Sequence, residues 1–221
     1  MIKEIFLVQK NHLSTKRNYL ERMINQKTKC MKVARKFEKN FWDGDRKYGY
    51  GGYNFIDGYW APVAKNLIKT FKLDNSSSIL DIGCGKGFLL YEIKKILPKI
   101  KVVGFDISKY AIKNSKKEIK NNLFVHDGRK KLPFKKKEFD LAISLGTLHN
   151  FTLNDLEITI NEILRVSRKR YIMIESYRNN EELFNLQCWA LTAESFLNPM
   201  EWKWLFKKFG YSGYIEFIYF K

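Results

Sequence analysis

Cysteine and histidine are scarce in this chain of 221 residues, with three of each. Cys30, Cys84 and Cys188 stand far apart and form no Cys-x-x-Cys pair. Neither a disulfide framework nor a structural zinc site is expected, and no metal is assigned. Separate free thiols suit a reducing compartment. No run of about 18 apolar residues occurs, so no membrane-spanning helix is expected. The opening Met-Ile-Lys-Glu-Ile-Phe-Leu is too short an apolar run, and too soon interrupted, for a secretory signal. A cytoplasmic location is the expectation. Signatures of an RNP motif, a zinc finger or a helix-turn-helix are missing as well. Acidic residues are few beside basic ones, 23 against 41, which leaves a net charge of +18. Lysine, asparagine, isoleucine and phenylalanine are abundant throughout, so composition bias accounts for much of that charge. The functional reading is attraction to an anionic small molecule, with nucleic acid the less favoured partner.

What is present reads as one α/β unit behind an N-terminal arm. The length suits a single domain with a small appended segment. Residues 1–40 are basic and irregularly amphipathic and read as helical. Residues 41–60 alternate glycine with aromatics and read as a loop with large contact surfaces, a candidate lid. The arm and lid are therefore placed at residues 1–60 and the main domain at 61–221. Pro62 can open a helix running to about Phe71. Strands are expected at 77–82, 102–105, 123–125, 139–144 and 171–175, with a terminal strand at 214–220. Helices are expected at 88–97, from Ser108 as cap to about 119, and at 153–166, 181–193 and 199–209. Such alternation predicts a mostly parallel sheet covered on both faces.

The strongest local signal is Ile79-Leu80-Asp81-Ile82-Gly83-Cys84-Gly85-Lys86-Gly87-Phe88. A buried strand ends in a glycine-rich turn that opens a helix, where open α/β sheets bind ligands. A P-loop is excluded, because Lys86 is followed by Gly87 and the spacing fails. A dinucleotide fingerprint needs a third glycine at the sixth position, which here holds Phe88. S-adenosylmethionine, whose amino-acid end is not a pyrophosphate, is the remaining candidate.

Asp-Ile-Gly-Cys-Gly-Lys-Gly resembles the first motif of class I S-adenosylmethionine methyltransferases. Gly104-Phe105-Asp106-Ile107-Ser108 resembles their second-strand motif, and Asp106 lies 19 residues after Gly87. His126-Asp127-Gly128 through Leu132-Pro133-Phe134 resembles the segment flanking the adenine. The run from Phe139 to Asn150 resembles the fourth-strand motif. The resemblance covers about residues 60–175 and implies a three-layer α/β/α Rossmann-like fold. It implies S-adenosylmethionine as cofactor and S-adenosylhomocysteine as product. Asp81 and the backbone of Gly83, Cys84, Gly85 and Gly87 would hold the methionine end. Asp106 would bind the ribose, Ile107 would pack on the adenine, and Asp127 beside Gly128 would accept from its amino group. Leu145 would lie close to the sulfonium. The family commonly ends in a sixth strand and an antiparallel seventh, and the terminal strand here is expected to be antiparallel. Only one such strand is convincing, so a shortened sheet is an open alternative. The family's Pro-Gly-Gly turn before the fifth strand is replaced by Ser167-Arg168-Lys169-Arg170.

A hydroxyl acceptor benefits from a general base, worth about 10²–10⁴-fold. His149, after the fourth strand, and Glu175, at the end of the fifth, are the candidates. Tyr48, Tyr50 and Tyr53 of the lid, with Tyr177 and Arg178, are candidate acceptor contacts, and Arg178 could hold an anion bidentately. The pattern resembles small bacterial methyltransferases of surface-polysaccharide pathways, which implies O-methylation of a sugar or nucleotide-linked sugar. An RNA or protein acceptor, or a catalytically silent cofactor-binding subunit, remains open at this point. No Asn-Pro-Pro-Tyr motif follows the fourth strand, which counts against N-methylation of a base.

Overall fold

Ile79 is buried in one apolar cluster, while Leu80 and Ile82 are buried in another. That is the pattern of a parallel strand covered on both faces. The computed structural model describes residues 1–8 and 17–221. In chain order it contains β1 (Ile2–Glu4), α1 (Tyr19–Ile24), α2 (Lys27–Ala34), α3 (Lys39–Asp43), α4 (Ala61–Phe71), β2 (Ser78–Ile82), α5 (Phe88–Ile96) and β3 (Lys101–Asp106). There follow α6 (Lys109–Lys113), β4 (Leu123–Val125), β5 (Phe139–Leu145), α7 (Leu153–Val166), β6 (Ser167–Glu175), α8 (Asn180–Trp189), α9 (Pro199–Lys208) and β7 (Gly213–Ile218).

The sheet order is β1-β7-β6-β5-β2-β3-β4. On one face α4 and α5 pack Val63, Leu67, Leu90 and Ile93 against Ile79, Leu141 and Ile143. On the other, α7 and α9 pack Ile160, Ile163, Trp202 and Phe206 against Leu80, Ala142, Ile172 and Ile215. The result is the expected three-layer α/β/α arrangement. Strand order reverses between β2 and its neighbours β3 and β5, so the switch point lies at the carboxyl end of β2.

Four readings are corrected. The terminal strand is parallel to β6, with Ile172 opposite Ile215, not antiparallel. The helices α8 and α9 form a crossover that returns the chain to the starting edge, as a parallel pair requires. The sheet is not shortened, and residues 1–40 are not all helical, because β1 pairs parallel with β7. Fully buried Glu216 anchors that end, accepting from the amides of Leu7 (2.6 Å) and Val8 (3.0 Å) and from the Tyr171 hydroxyl (2.5 Å). Finally, Ser167-Arg168-Lys169-Arg170 is the start of β6 rather than a turn. Buried Arg170 donates to the Ser167 carbonyl at 2.6 Å and to Ser212 at 3.2 Å, so its charge enters the sheet satisfied.

Candidate active site

The glycine loop turns its amides inward. Gly83 and Cys84 donate to the Phe105 carbonyl at 2.9 and 3.0 Å, and Gly87 donates to the Cys84 carbonyl at 2.9 Å. Gly85 donates to Asp106 Oδ2 at 2.9 Å. With these four amides engaged, the loop offers no nest for a pyrophosphate. Three glycines of the loop combine a positive φ with a close approach. Gly83 has φ +78°, and a Cβ there would lie 2.1 Å from Thr147 Oγ1. Gly85 has φ +55°, and a Cβ would meet the Trp42 ring at 3.0 Å. Gly87, at φ +73°, meets the same two demands against the core, where a Cβ would strike Ile119 at 2.6 Å, and it lines neither of the cavities described next.

Two cavities meet at this loop. The smaller, about 300 Å³, is bounded by Ile82, Phe105, Asp106, Ile107, Asp127 and Gly128. The larger, about 470 Å³, takes in Cys84, Gly85, His149, Glu175, Tyr50 and Tyr53. Gly83, Leu145, Gly146 and Trp42 border both, so the cavities join where β2 and β5 end. Asp106 is buried, with Oδ1 accepting from the Ser108 amide at 2.8 Å and Oδ2 from Gly85. Burial raises its pKa, and those two amides oppose the rise. Asp127 is gripped by Arg129 through Nε and Nη2, both at 2.8 Å, and that contact lowers its pKa. Asp81 is 4% exposed and lines neither cavity. Burial first, and then the nearby Asp106, push its pKa up to about 8.

These residues fit S-adenosylmethionine. Asp106 has acceptor capacity left beside an apolar slot, and Gly85 makes a cradle that a Cβ would fill. Asp81 is a buried acid just before the glycine loop, to which no described residue donates a hydrogen bond, although it lines neither cavity.

In the larger cavity His149 Nε2 lies 3.3 Å from Glu175 Oε2. The turn Leu148–Asn150 after β5 carries the histidine, and its carbonyl accepts from the Glu194 and Ser195 amides. Glu175 closes β6. Burial raises its pKa to about 7, with Arg17 opposing. The structure thus joins into one pair two residues that the sequence presents 26 positions apart.

The arm rests on the glycine loop. Trp42 donates from Nε1 to Ser108 Oγ at 2.9 Å and stacks on Tyr50 at 5.2 Å. Lys86 is buried, and its Nζ reaches both carboxylate oxygens of Asp43 (2.8 and 2.7 Å) and the Tyr53 carbonyl (2.8 Å). Tyr110 donates to the same Asp43 at 2.8 Å. Tyr53 stacks on Phe88 at 5.2 Å.

Other candidates lie elsewhere. Tyr48 packs against the small cluster of Cys30, Ala34 and Leu191. Tyr177 and Arg178 line neither cavity. Arg178 is ion-paired with Glu182 and sits 4.3 Å above the Tyr219 ring. That pairing is four residues apart on a helix start, a spacing visible in the sequence. Sequence reasoning missed Trp42 as the loop's cover and Arg22 and Arg46 in the cavity wall, and it pointed to the segment 186–191 for acceptor contacts without singling out Trp189. The density of aromatics at 41–60 pointed toward Trp42. Nothing local pointed to the arginines.

A family model described as a methyltransferase domain matches residues 73–210. A tRNA U34 carboxymethyltransferase of Nautilia profundicola is 33% identical over 103 residues, covering 43% of this chain and 33% of that protein. A demethylmenaquinone methyltransferase of Chlorobaculum tepidum is 32% identical over 112 residues, covering 50% of this chain and 45% of that protein. The matched stretch is thus under half the length of either curated relative. A structure from Bacillus halodurans, described as a methyltransferase, superposes with a TM-score of 0.54 at 18% identity, covering 66% of this chain and 68% of that one, and shares the fold. With the family model covering most of the chain and the loop, Asp106 and the switch-point crevice in place, the chain belongs to the methyltransferase-domain family.

Proposed function

We propose that the chain methylates a hydroxyl of a small, sugar-like acceptor held in the larger cavity. In this reading the His149–Glu175 pair receives the hydroxyl proton. The observation that carries it is the 3.3 Å contact between the two in a cavity bordered by Leu145 and Gly146. Asp106 would hold the ribose, Ile107 and Asp127 the adenine, and Asp81 with the glycine loop the methionine end. S-adenosylmethionine supplies, when bound, a methyl group already activated on a cationic sulfur. What remains for the protein is orientation, exclusion of water and a place for one proton. Glu175, with a pKa near 7, is poised to take that proton at neutral pH. His149, 3.3 Å away, is placed to steady that carboxylate. Residues 1–60 act as an arm whose lid segment, through Trp42, Tyr50 and Tyr53, keeps water from the junction of the cavities. Tyr50 and Tyr53, which line this cavity, suit contact with a sugar ring. A cytoplasmic setting fits the free, unpaired thiols, and no helix among the described residues is long and apolar enough to cross a membrane.

The relatives named for tRNA and the charge of +18 favour a second reading, an RNA acceptor. Glu175→Gln and His149→Gln separate the roles under single-turnover conditions with labelled S-adenosylmethionine. Loss of about 10²–10⁴-fold in the methyl-transfer rate, with cofactor affinity retained, is expected for Glu175→Gln. Unchanged transfer in both variants removes the pair from the mechanism.

A further inference from the structure

Three arginines from the arm gather at Trp189, at the end of α8. The guanidinium carbon lies 4.4 Å from the ring centroid for Arg22, 5.0 Å for Arg46 and 5.4 Å for Arg17. All four residues line the larger cavity together with His149 and Glu175. Arg22 is held by Nε to the Trp189 carbonyl (3.3 Å) and by Nη1 to the Arg46 carbonyl (2.6 Å). Arg46 is held by Nη1 to the carbonyls of Gly49 (2.9 Å) and Tyr50 (2.8 Å).

Backbone oxygens fix these two side chains but do not neutralise them. Neither Arg22 nor Arg46 has a carboxylate partner within ion-pair distance among the described residues. Nη2 of both, and Nε of Arg46, make no hydrogen bond to them. Burial and mutual repulsion lower the pKa of both, Arg46 acting on Arg22 and Arg17 on Arg46. Like charges gathered around one aromatic ring in a cavity wall are costly unless an anion joins them. Arg129 pairs with Asp127, Arg165 with Glu162 and Arg178 with Glu182, while Arg170, also without a carboxylate, is held by oxygens inside the sheet and lines neither cavity. What sets Arg22 and Arg46 apart is that they meet on one ring in the wall of the larger cavity.

We propose that Arg22 and Arg46, assembled on Trp189, form a subsite for a phosphoryl group carried by the methyl acceptor. This rests on the reading of the larger cavity as the acceptor site. Two guanidinium charges match a phosphomonoester or diphosphate, of charge near −2, better than a single carboxylate. Their planar forks suit its several oxygens. The subsite makes the acceptor a phosphorylated small molecule, with its hydroxyl at the His149–Glu175 pair and its phosphoryl group at the arm. Because both arginines belong to the arm, the acceptor itself would hold the arm against the domain.

The test is calorimetric titration with inorganic diphosphate, inorganic phosphate and citrate, using wild type, Arg22→Gln, Arg46→Gln and Arg46→Lys. Arg168→Gln, an exposed residue lining neither cavity, is the charge-matched control. Equal S-adenosylhomocysteine affinity across the set certifies folding. Expected are diphosphate binding to wild type and the control, at least tenfold weaker binding to both glutamine variants, and a smaller loss in Arg46→Lys. Equal binding across the whole set overturns the subsite, and tighter binding of citrate than diphosphate overturns the phosphoryl assignment. A short single-stranded RNA that displaces diphosphate from wild type but not from the variants overturns the small-molecule source. A second arm offers the labelled cofactor with a metabolite extract before and after phosphatase treatment. Loss of label after treatment supports the proposal. Undiminished label in the dephosphorylated small molecules overturns it while the acceptor-site reading stands. Arginine-dependent diphosphate binding without label in any small molecule supports the subsite and refutes the acceptor-site reading.

Discussion

Asp81 provides a measurable consequence of the site's construction. Its carboxyl is 4% exposed on β2, beside Gly104 of β3 and Ile143 of β5. Its pKa stands at about 8 because of burial first and the neighbouring Asp106 second. In the unfolded chain an aspartate releases its proton near pH 3.9. Between those values the folded protein holds one proton more than the unfolded chain, so stability falls as pH rises. The stabilisation is fully present below the unfolded value and is lost as pH climbs through the folded one. The slope is about 1.4 kcal/mol per pH unit, or about 2.7 kcal/mol from pH 5.5 to 7.5. In a chain of this length each kcal/mol moves Tm by roughly 2–4 °C. Asp81→Asn removes this dependence while keeping the side chain's shape. Thermal unfolding by circular dichroism should show the Tm of Asp81→Asn gaining on wild type by roughly 5–11 °C across that range. Glu175, also raised, has the same sign in both proteins and cancels in the difference. The offset at a single pH carries the cost of a buried amide, so the change of offset with pH is the test. Parallel curves would refute the picture of an uncompensated buried acid. Saturating S-adenosylmethionine should flatten the wild-type dependence, because a cation beside the carboxylate lowers its pKa.

Other consequences concern the same crevice. The methyl-transfer rate should rise with pH through an apparent pKa near 7, since the raised Glu175 carboxyl must ionise before it accepts a proton, and Glu175→Gln should abolish that limb. Lys86→Met leaves Asp43 without its cation. Amide exchange over residues 43–53 should speed by roughly 5- to 150-fold, for a loss of about 1–3 kcal/mol in arm docking, with exchange in β2 and β5 unchanged. Gly83→Ala forces a Cβ against Thr147 and a positive φ costing about 1–2 kcal/mol. Its S-adenosylhomocysteine affinity should fall at least tenfold by calorimetry, and unchanged affinity would place the loop away from the cofactor.

The legible parts of this molecule are those fixed by local pattern. The bounds of β4 and α7 match those read from the apolar runs, and the structure adds a cap at Thr152, whose hydroxyl accepts from the Asp155 amide. The run into Gly83 located the switch point because a buried apolar strand leads there into a glycine-rich turn that opens a helix, with Gly83 at φ +78°. Long-range events were hidden. β1 is three residues on a sheet edge, and its place depends on Glu216, more than 200 residues away along the chain. The direction of β7 depends on the route of α8 and α9, which no periodicity encodes. Arg170 looked like part of a basic turn, but Ser167 and Ser212 satisfy it inside the sheet. Arg22 and Arg46 meet Trp189 only because the arm folds back, so their spacing in sequence carries no signal.

The central claim, transfer of a methyl group to a small anionic acceptor, is tested most directly with tritiated-methyl S-adenosylmethionine. The purified protein is offered an extract from cells lacking this gene, separated into small molecules, RNA, protein and polysaccharide. Label in an anionic small-molecule fraction, lost in Glu175→Gln, is the predicted result. Label in RNA or protein, or bound cofactor with no label in any fraction, would contradict it.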